Sequence, residues 1–147
     1  DPAISQVGLA QLLAQSDFVA CLAAATGETE NLMNEQAFQG MKPGAFFINA
    51  SRGNLVDDAA LLRALDSGRL AGCALDVGRE HDQKPSPLLA RHPLVLATPH
   101  IGGLTPQATE HQALETVAQV AEILRGRVPP GAVNADRASR LSKLRDA

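Results

Sequence analysis

Three short stretches of the chain combine side chains that can do chemistry with glycines that expose the backbone beside them. In "LATPHIGGLTPQA", residues 96–108, an apolar run ends at Pro99, and His100 follows with Gly102 and Gly103 close behind. An imidazole can give or take a proton near neutral pH. Because glycines let backbone approach a flat ligand closely, this stretch predicts a proton-transfer group that faces a bound molecule. The alternative is a structural histidine at a turn.

The second stretch is "INASRGNLVD", residues 48–57, in which Arg52 follows an apolar run and precedes Gly53. A guanidinium in such a turn can hold a carboxylate through two parallel hydrogen bonds. The alternative is a surface arginine that pairs with Asp57 or Asp58. The sequence alone leaves both interpretations open.

The third stretch is "ALDVGREHD", residues 74–82, in which Asp76 ends an apolar run and Glu80, His81 and Asp82 follow. A carboxylate in that loop can orient an imidazole and keep it protonated. For Asp76 the alternative is a helix or turn cap. The histidines and cysteines show no HxxxH or CxxC spacing, so the sequence predicts no metal site.

Hydrophobic periodicity predicts the elements that must position these groups. Continuous apolar runs typical of buried strands lie at 17–25, 45–50, 70–77 and 94–99. Helical spacing occurs at 7–16, 34–41, 56–68, 88–93 and 105–125. Asn34 and Thr105 are the expected N-caps of two of these helices, and Gly68 is the expected C-terminal stop of another. This alternation predicts an α/β fold, a Rossmann-like parallel sheet with helices on both faces. Ligands of such sheets bind at the carboxyl ends of the strands, where all three stretches lie.

Composition limits the classes of partner. The chain has 147 residues, a net charge of −3, four Phe, no Tyr and no Trp, so neither a basic face nor a stacking platform for nucleic acid is expected. No apolar run approaches the about 20 residues of a membrane span, and no signal peptide is visible. The two cysteines lie in apolar runs, which is typical of free thiols. We therefore expect a cytoplasmic protein without membrane or nucleic-acid partners.

One feature of dinucleotide-binding sheets is missing from the sequence. Such a sheet ordinarily carries G-x-G-x-x-G between its first strand and helix, and this chain has no such pattern. We expect the glycine loop and the N-terminal strands to lie upstream of Asp1. The expected organisation is a partial nucleotide-binding domain at 1–134 and a C-terminal tail at 135–147.

Taken in order, the motifs resemble a known family. "MKPGAFFINASRGNLVDDAALLRALDSGRLAGCALDV" at residues 41–77, followed by "LATPHIGGLTPQA", resembles the D-isomer-specific 2-hydroxyacid dehydrogenases, and the likeness runs from about Asp17 to Asn134. Members of that family have two Rossmann-like domains, and this chain resembles the later part of the NAD-binding one. The resemblance implies hydride transfer between NAD, or alternatively NADP, and a 2-hydroxy or 2-oxo acid.

The resemblance also implies roles for single residues. Arg52 would bind and polarise the carboxylate and carbonyl of the oxo acid. His100 would give a proton to the carbonyl oxygen and lie beside the nicotinamide. Asp76 would bind the nicotinamide carboxamide, and Ala50 and Ser51 would lie near the ring.

Further roles follow from the same resemblance. Gly102 and Gly103 would also lie close to the nicotinamide ring. Asp1 resembles the acidic residue that holds the adenosine ribose. The implied partners are a small 2-hydroxy or 2-oxo acid, the missing N-terminal half of the same enzyme and a second copy in a homodimer.

The chain departs from the family at two places. The usual pattern is D-V-F-x-x-E-P, but Gly78 stands for the Phe and His81 for the catalytic Glu. Either neighbouring acid, Glu80 or Asp82, can serve in its place, and we expect Asp82 to do so. In "ACLAAATGETENLM", Leu22 and Ala24 stand where the family commonly has His and Pro.

Two interpretations compete with a dehydrogenase. One is a non-catalytic NAD(H)-binding or protein-interaction domain of the same fold. The other is a structural fragment that associates through exposed sheet edges. The enzyme interpretation predicts that Arg52, His100 and an acid from residues 80–82 converge within hydrogen-bond reach. By itself this chain is expected to be inactive and to self-associate.

Overall fold

The chain divides into two compact units. The computed structural model describes residues 4–133 and 135–137, and the division falls between Gly102 and Gly103. The domain boundary predicted after residue 134 therefore falls within the second unit. Most of the predicted tail lies outside the described residues.

Four parallel strands form the sheet of the first unit, in the order in which they occur along the chain. They are β1 (Phe18–Cys21), β2 (Ala45–Asn49), β3 (Leu70–Leu75) and β4 (Val95–Ala97). A helix lies between each strand and the next, as parallel neighbours require. The parallel α/β sheet predicted from the alternation of apolar runs and helices is confirmed.

Helices precede the sheet and connect its strands. In the first unit they are α1 (Leu9–Gln15), α2 (Glu35–Gly40), α3 (Asp58–Asp66) and α4 (Pro87–Ala90), and α5 (Pro106–Leu124) belongs to the second unit. The caps predicted at Asn34 and Thr105 are present: their side chains accept hydrogen bonds from the amides of Ala37 and Ala108. Gly68 ends the α3 segment with a φ of +72°.

The strands are shorter than the apolar runs that predicted them. The run at 17–25 forms a strand only as far as Cys21, whose partner in the sheet is Asn49, the last residue of β2. Beyond Asn49 the chain enters a polar turn and offers no further ladder. The end of a strand is therefore set by its neighbour, because backbone groups of an apolar run need a partner to extend the sheet.

One face of the sheet carries the core. The largest buried side chains come from this face and from the helices and loops packed on it: Met33, Phe38, Met41, Phe47, Leu61 and Leu65. The rings of Phe38 and Phe47 meet edge to face with centroids 5.3 Å apart.

The opposite face of the sheet is open over a groove of about 520 Å³ lined by the four strands and the segment before β4. Phe18 and Phe46 stack there with centroids 5.2 Å apart, yet Phe18 is 68% exposed and Leu96 is 70% exposed. A contiguous apolar surface of this kind favours association.

Replacing both Phe18 and Leu96 with Thr is expected to reduce self-association of the isolated chain. Threonine suits a strand, and both side chains are too exposed for their loss to unfold the core. Sedimentation velocity over a concentration series, with binding of a hydrophobic dye, measures the effect. Val133→Thr is the control, because Val133 is 98% exposed and lies in the second unit. A wild-type chain that stays monomeric throughout contradicts the prediction.

Candidate active site

Arg52 lies in the turn that follows β2, and the turn is tied down at both sides. Asn49 is 1% exposed; its Nδ2 donates to the Arg52 carbonyl at 2.9 Å, and its Oδ1 accepts from the Ser51 amide at 3.1 Å. The Ser51 hydroxyl donates to the Ala23 carbonyl at 2.7 Å. Ala50 is exposed between these anchors. The turn is thus fixed to its own strand and to the segment after β1.

The Arg52 guanidinium is not neutralised by the acids that follow it. It donates to the Ser51 carbonyl at 2.7 Å, and among the described residues it forms no ion pair. Asp57 instead accepts the amides of Ala59 and Ala60 and caps α3. Burial raises the pKa of Asp58, against the opposing effect of Arg79. The surface pairing of Arg52 with Asp57 or Asp58 is therefore not what the structure shows.

A polar cleft of about 300 Å³ opens beside Arg52, and Glu80 lines it as well. The turn after β2 and the loop after β3 meet at Gly53 and Gly78, where a Cβ on Gly53 would lie 2.0 Å from the Gly78 carbonyl oxygen. Only glycine permits this approach of the two backbones. Glu80, one of the two acids predicted from the sequence, thus lines the same cleft as Arg52.

Asp82 is held elsewhere in the same loop. Its carboxylate lies 2.5 Å from Lys84 Nζ and accepts the Lys84 amide at 3.2 Å, and these contacts hold the pKa of Asp82 below its usual range. Within the part of the chain that the structure describes, neither Glu80 nor Asp82 hydrogen-bonds to His100. Arg52 and Glu80 line one cleft and Asp82 binds a lysine, and no hydrogen bond among the described residues joins Arg52, His100 and an acid, so their convergence within hydrogen-bond reach stays a prediction.

Asp76 organises the loop that carries His100. Its Oδ1 accepts from the Thr98 hydroxyl at 2.5 Å and from the Ile101 amide at 2.9 Å, and its Oδ2 accepts from the Gly102 amide at 2.8 Å. Burial raises the pKa of Asp76, but these hydrogen bonds and the nearby His100 outweigh it and hold the pKa below its ordinary value. Asp76 therefore caps the turn that carries His100, which is the alternative role that the sequence left open for it.

His100 has the left-handed backbone conformation, with a φ of +57°. Its amide donates to the Thr98 carbonyl at 3.0 Å and closes a three-residue turn around Pro99. A left-handed conformation is uncommon for a residue other than glycine and persists where surrounding bonds impose it. The Asp76 carboxylate supplies those bonds on the far side of His100.

The two glycines after His100 differ in what they permit. A Cβ on Gly102 would lie 2.8 Å from the Asp76 carboxylate, whereas a Cβ on Gly103 would meet nothing within 4 Å. A side chain at Gly102 would therefore displace the Asp76 carboxylate, a reason for glycine that differs from the close ligand approach expected from the sequence. Gly103 is the first residue of the second unit. Asp1, the residue expected to hold the adenosine ribose, lies outside the described residues.

Sequence reasoning missed two residues that shape this edge. Asn49 anchors the Arg52 turn, and a polar residue at the end of a buried strand is the signal that could have found it. Arg79 donates to the carbonyls of Val56 and Asn54 at 2.9 and 3.0 Å and to Glu30 at 2.9 Å. Nothing in its position along the chain points to this role.

The edge carries groups whose chemistry suits a nicotinamide. Within the described ranges no group of three His, Cys, Asp or Glu is arranged to hold a metal ion. The Asp76 carboxylate can accept from an amide, and the exposed Ala50 leaves the surface beside the Arg52 turn uncrowded.

None of the described helices has the length and apolar character needed to cross a membrane.

Several known proteins are similar to this chain in sequence. The model of the D-isomer specific 2-hydroxyacid dehydrogenase NAD-binding domain matches residues 1–102. D-3-phosphoglycerate dehydrogenase 2, chloroplastic, of Arabidopsis thaliana is 38% identical over 132 residues, which are 90% of this chain and 21% of that protein. A glyoxylate reductase of Thermococcus onnurineus is 40% identical over 126 residues, 86% of this chain and 37% of that protein.

Solved structures share the fold. The apo form of D-mandelate dehydrogenase from Rhodotorula graminis superposes with a TM-score of 0.75 at 31% identity, over 87% of this chain and 38% of that one. D-lactate dehydrogenase from Aquifex aeolicus, complexed with NAD and lactic acid, gives 0.69 at 32% identity, over 82% and 40%. The chain thus spans between 21% and 40% of these proteins. By its sheet, its motifs and the match over residues 1–102, the chain belongs to the D-isomer specific 2-hydroxyacid dehydrogenase family, within the NAD-binding domain.

Proposed function

We propose that this chain is part of a dehydrogenase that transfers hydride between a nicotinamide cofactor and a 2-hydroxy or 2-oxo acid. The observation that carries the proposal is the Arg52 guanidinium, which stands without an acidic partner among the described residues, at the sheet edge where His100 also lies. The rest of the polypeptide would supply the glycine-rich phosphate loop and the substrate-binding domain.

Arg52 would act on the substrate in two ways. Its guanidinium is always charged and can hold the carboxylate of an oxo acid by two parallel hydrogen bonds. The same positive charge stabilises the negative charge that develops on the carbonyl oxygen during reduction. The fixed turn keeps this charge in place, so that little reorganisation is needed when the substrate binds.

His100 would supply the proton. In reduction it gives a proton to the carbonyl oxygen, and in oxidation it takes the proton from the hydroxyl. NAD, when bound, takes or supplies the hydride. Asp76 would accept from the nicotinamide carboxamide while its other hydrogen bonds keep the His100 loop in position, and Ala50, Ser51, Gly102 and Gly103 would lie near the ring.

The identity of the supporting acid is also part of the proposal. Sequence reasoning favoured Asp82, but Lys84 occupies that carboxylate, whereas Glu80 lines the cleft beside Arg52. The structure therefore favours Glu80 as the acid that supports His100 in place of the usual glutamate.

Cofactor choice and assembly complete the proposal. The Aquifex aeolicus enzyme was solved with NAD, and a relative from Xanthobacter autotrophicus Py2 was solved with NADPH; we favour NAD, with Asp1 holding the adenosine ribose. Homodimer formation is supported by the open apolar sheet face, and a cytoplasmic location by the two free, buried cysteines.

A second candidate function is a dehydrogenase-like domain that binds NAD(H) without catalysis. One observation favours it: His81 stands where the family has its glutamate, and Asp82 beside it is paired with Lys84. Turnover by the complete protein separates the two candidates.

His100→Asn in the complete reading frame that contains this chain is expected to lower turnover by about two to four orders of magnitude, because the proton donor is lost. Asparagine tolerates the left-handed backbone at this position, so the fold should persist. Initial rates with NADH and 2-oxo acids of increasing size measure the effect, and NADH fluorescence tests whether binding is retained.

His92→Asn is the matched control for that experiment. His92 bonds to Asp66 and to the Leu94 amide before β4, and turnover should stay near the wild-type value. Full activity of His100→Asn would remove the proton-donor role. A wild-type protein that binds NADH but reduces no 2-oxo acid would favour the non-catalytic candidate.

Glu80→Gln is expected to lower kcat/KM for the oxo acid at least about tenfold, within the range typical of a group that supports acid–base catalysis. Asp82→Asn, which removes the carboxylate charge and its ion pair with Lys84, should leave kcat/KM near the wild-type value. Steady-state rates across neutral pH compare the two variants. The reverse order of effects would assign the role to Asp82, the acid that the sequence favours.

Acid is expected to release the His100 loop. Because the pKa of Asp76 is held below its ordinary value of 3.8, its stabilising contribution is complete above that value and is lost as the pH falls through the lower folded pKa. NMR titration of the chain should show the Ile101 and Gly102 amide protons moving with a midpoint below 3.8. The Ala108 amide, bonded to the Thr105 hydroxyl, should not move; a midpoint at or above 3.8 contradicts the prediction.

A further inference from the structure

Asn49 is a buried polar side chain with no part in the chemistry described above. It is 1% exposed at the end of β2, where the residues around it include Leu61, Leu75 and Leu89. Burying a carboxamide is unfavourable unless its hydrogen bonds are made, and an apolar side chain would suit these neighbours. The reason for an asparagine here must therefore lie in the bonds that it forms.

Both ends of the Asn49 carboxamide bond to the same turn. Oδ1 accepts from the Ser51 amide at 3.1 Å, which is an Asx-turn, and Nδ2 donates to the Arg52 carbonyl at 2.9 Å. Arg52 is held with a φ of −146° and a ψ of 147°, just before the 3-10 turn Gly53–Leu55. The carboxamide thus fixes the backbone on both sides of the peptide that joins Ser51 to Arg52.

We infer that Asn49 is a positioning residue for Arg52, whose turn it holds so that the guanidinium meets the substrate carboxylate. This inference rests on the proposed function, which gives Arg52 its role. Asn49 itself is buried and does not touch the substrate. It acts through the peptide that it binds.

The main chain of Asn49 has a separate partner, which makes the inference testable. Its carbonyl accepts from the Asp76 amide at 3.0 Å, and this bond does not need the side chain. A substitution at Asn49 should loosen the Arg52 turn and leave the Asp76 carboxylate bonded to Ile101 and Gly102. The effect should therefore fall on oxo-acid binding and not on the His100 loop.

The test compares three variants of the complete reading frame. Asn49→Ala is expected to raise KM for the oxo acid by about tenfold or more, because small displacements of a positioning group carry large kinetic effects. The dissociation constant for NADH should not change. Asn49→Ser should recover part of the loss, since its hydroxyl can still accept from the Ser51 amide.

Asn34→Ala is the matched control. It also removes one asparagine hydrogen bond, the cap of α2 at 3.0 Å, and should lower stability without changing KM. If Asn49→Ala loses stability but keeps the wild-type KM, Asn49 is merely structural and the inference is wrong. If Asn49→Ala does not fold, Asn49→Ser is measured instead. A raised KM for the oxo acid with an unchanged dissociation constant for NADH then supports the inference, and an unchanged KM overturns it.

Amide hydrogen exchange gives a measurement that does not need activity. The Ser51 amide should exchange at least about tenfold faster in Asn49→Ala than in Asn34→Ala, because its acceptor is gone. Unchanged exchange would overturn the inference. If the wild-type protein reduces no 2-oxo acid, the proposed function fails, and exchange at Ser51 alone then decides whether Asn49 holds the turn.

Discussion

The parallel ladder between β2 and β3 governs the arrangement of the site. It pairs Asn49 with Leu75, and the next amide, that of Asp76, bonds to the Asn49 carbonyl at 3.0 Å. The two strands therefore end side by side, and the loops that follow start from the same edge. Contact of Gly53 with the Gly78 backbone extends this pairing beyond the strands. A one-residue change of register would separate the Arg52 turn from the loop that carries Glu80.

The arginines at this edge divide into structural and free ones. The Arg79 guanidinium donates to Glu30 and to two backbone carbonyls, so its charge interacts with groups of the fold itself. Among the described residues, the Arg52 guanidinium bonds only to the neighbouring Ser51 carbonyl. Surface ion pairs add little stability, so the value of Arg79 lies in its bonds to the backbone that shapes the cleft. Arg52 is left available for an anionic ligand.

Local signals allowed much of the fold to be predicted from the sequence. The caps at Asn34 and Thr105 and the stop at Gly68 depend on a few neighbouring residues, and all three are present. The strand ends could not be predicted, because the partner strand decides them. Arg52 and His100 follow strands as predicted, and Asp76, predicted to end its strand, is the first residue after β3; all three lie near one edge because the carboxyl ends of parallel strands share it.

Long-range contacts were the part that the sequence concealed. The conflict between a Cβ on Gly102 and the Asp76 carboxylate, for example, involves two residues that are 26 positions apart. No local pattern reports such a contact. The same holds for Arg79, whose partners Glu30 and Asn54 lie 49 and 25 residues away.

Asn49 holds the Arg52 turn and Asp76 holds the His100 loop, and these two side chains differ in chemistry. The Arg52 turn and the His100 loop therefore respond differently to pH. Asn49 is neutral and binds a turn two and three residues ahead, so acid does not change its hydrogen bonds. Asp76 is ionised and binds a loop 22 to 26 residues ahead, so protonation removes what holds His100 in its left-handed conformation. Low pH should thus release the His100 loop while the Arg52 turn stays in place. Asn49→Asp would make the Arg52 turn sensitive to pH as well, because a buried carboxylate at position 49 would face the Arg52 carbonyl without a donor between them.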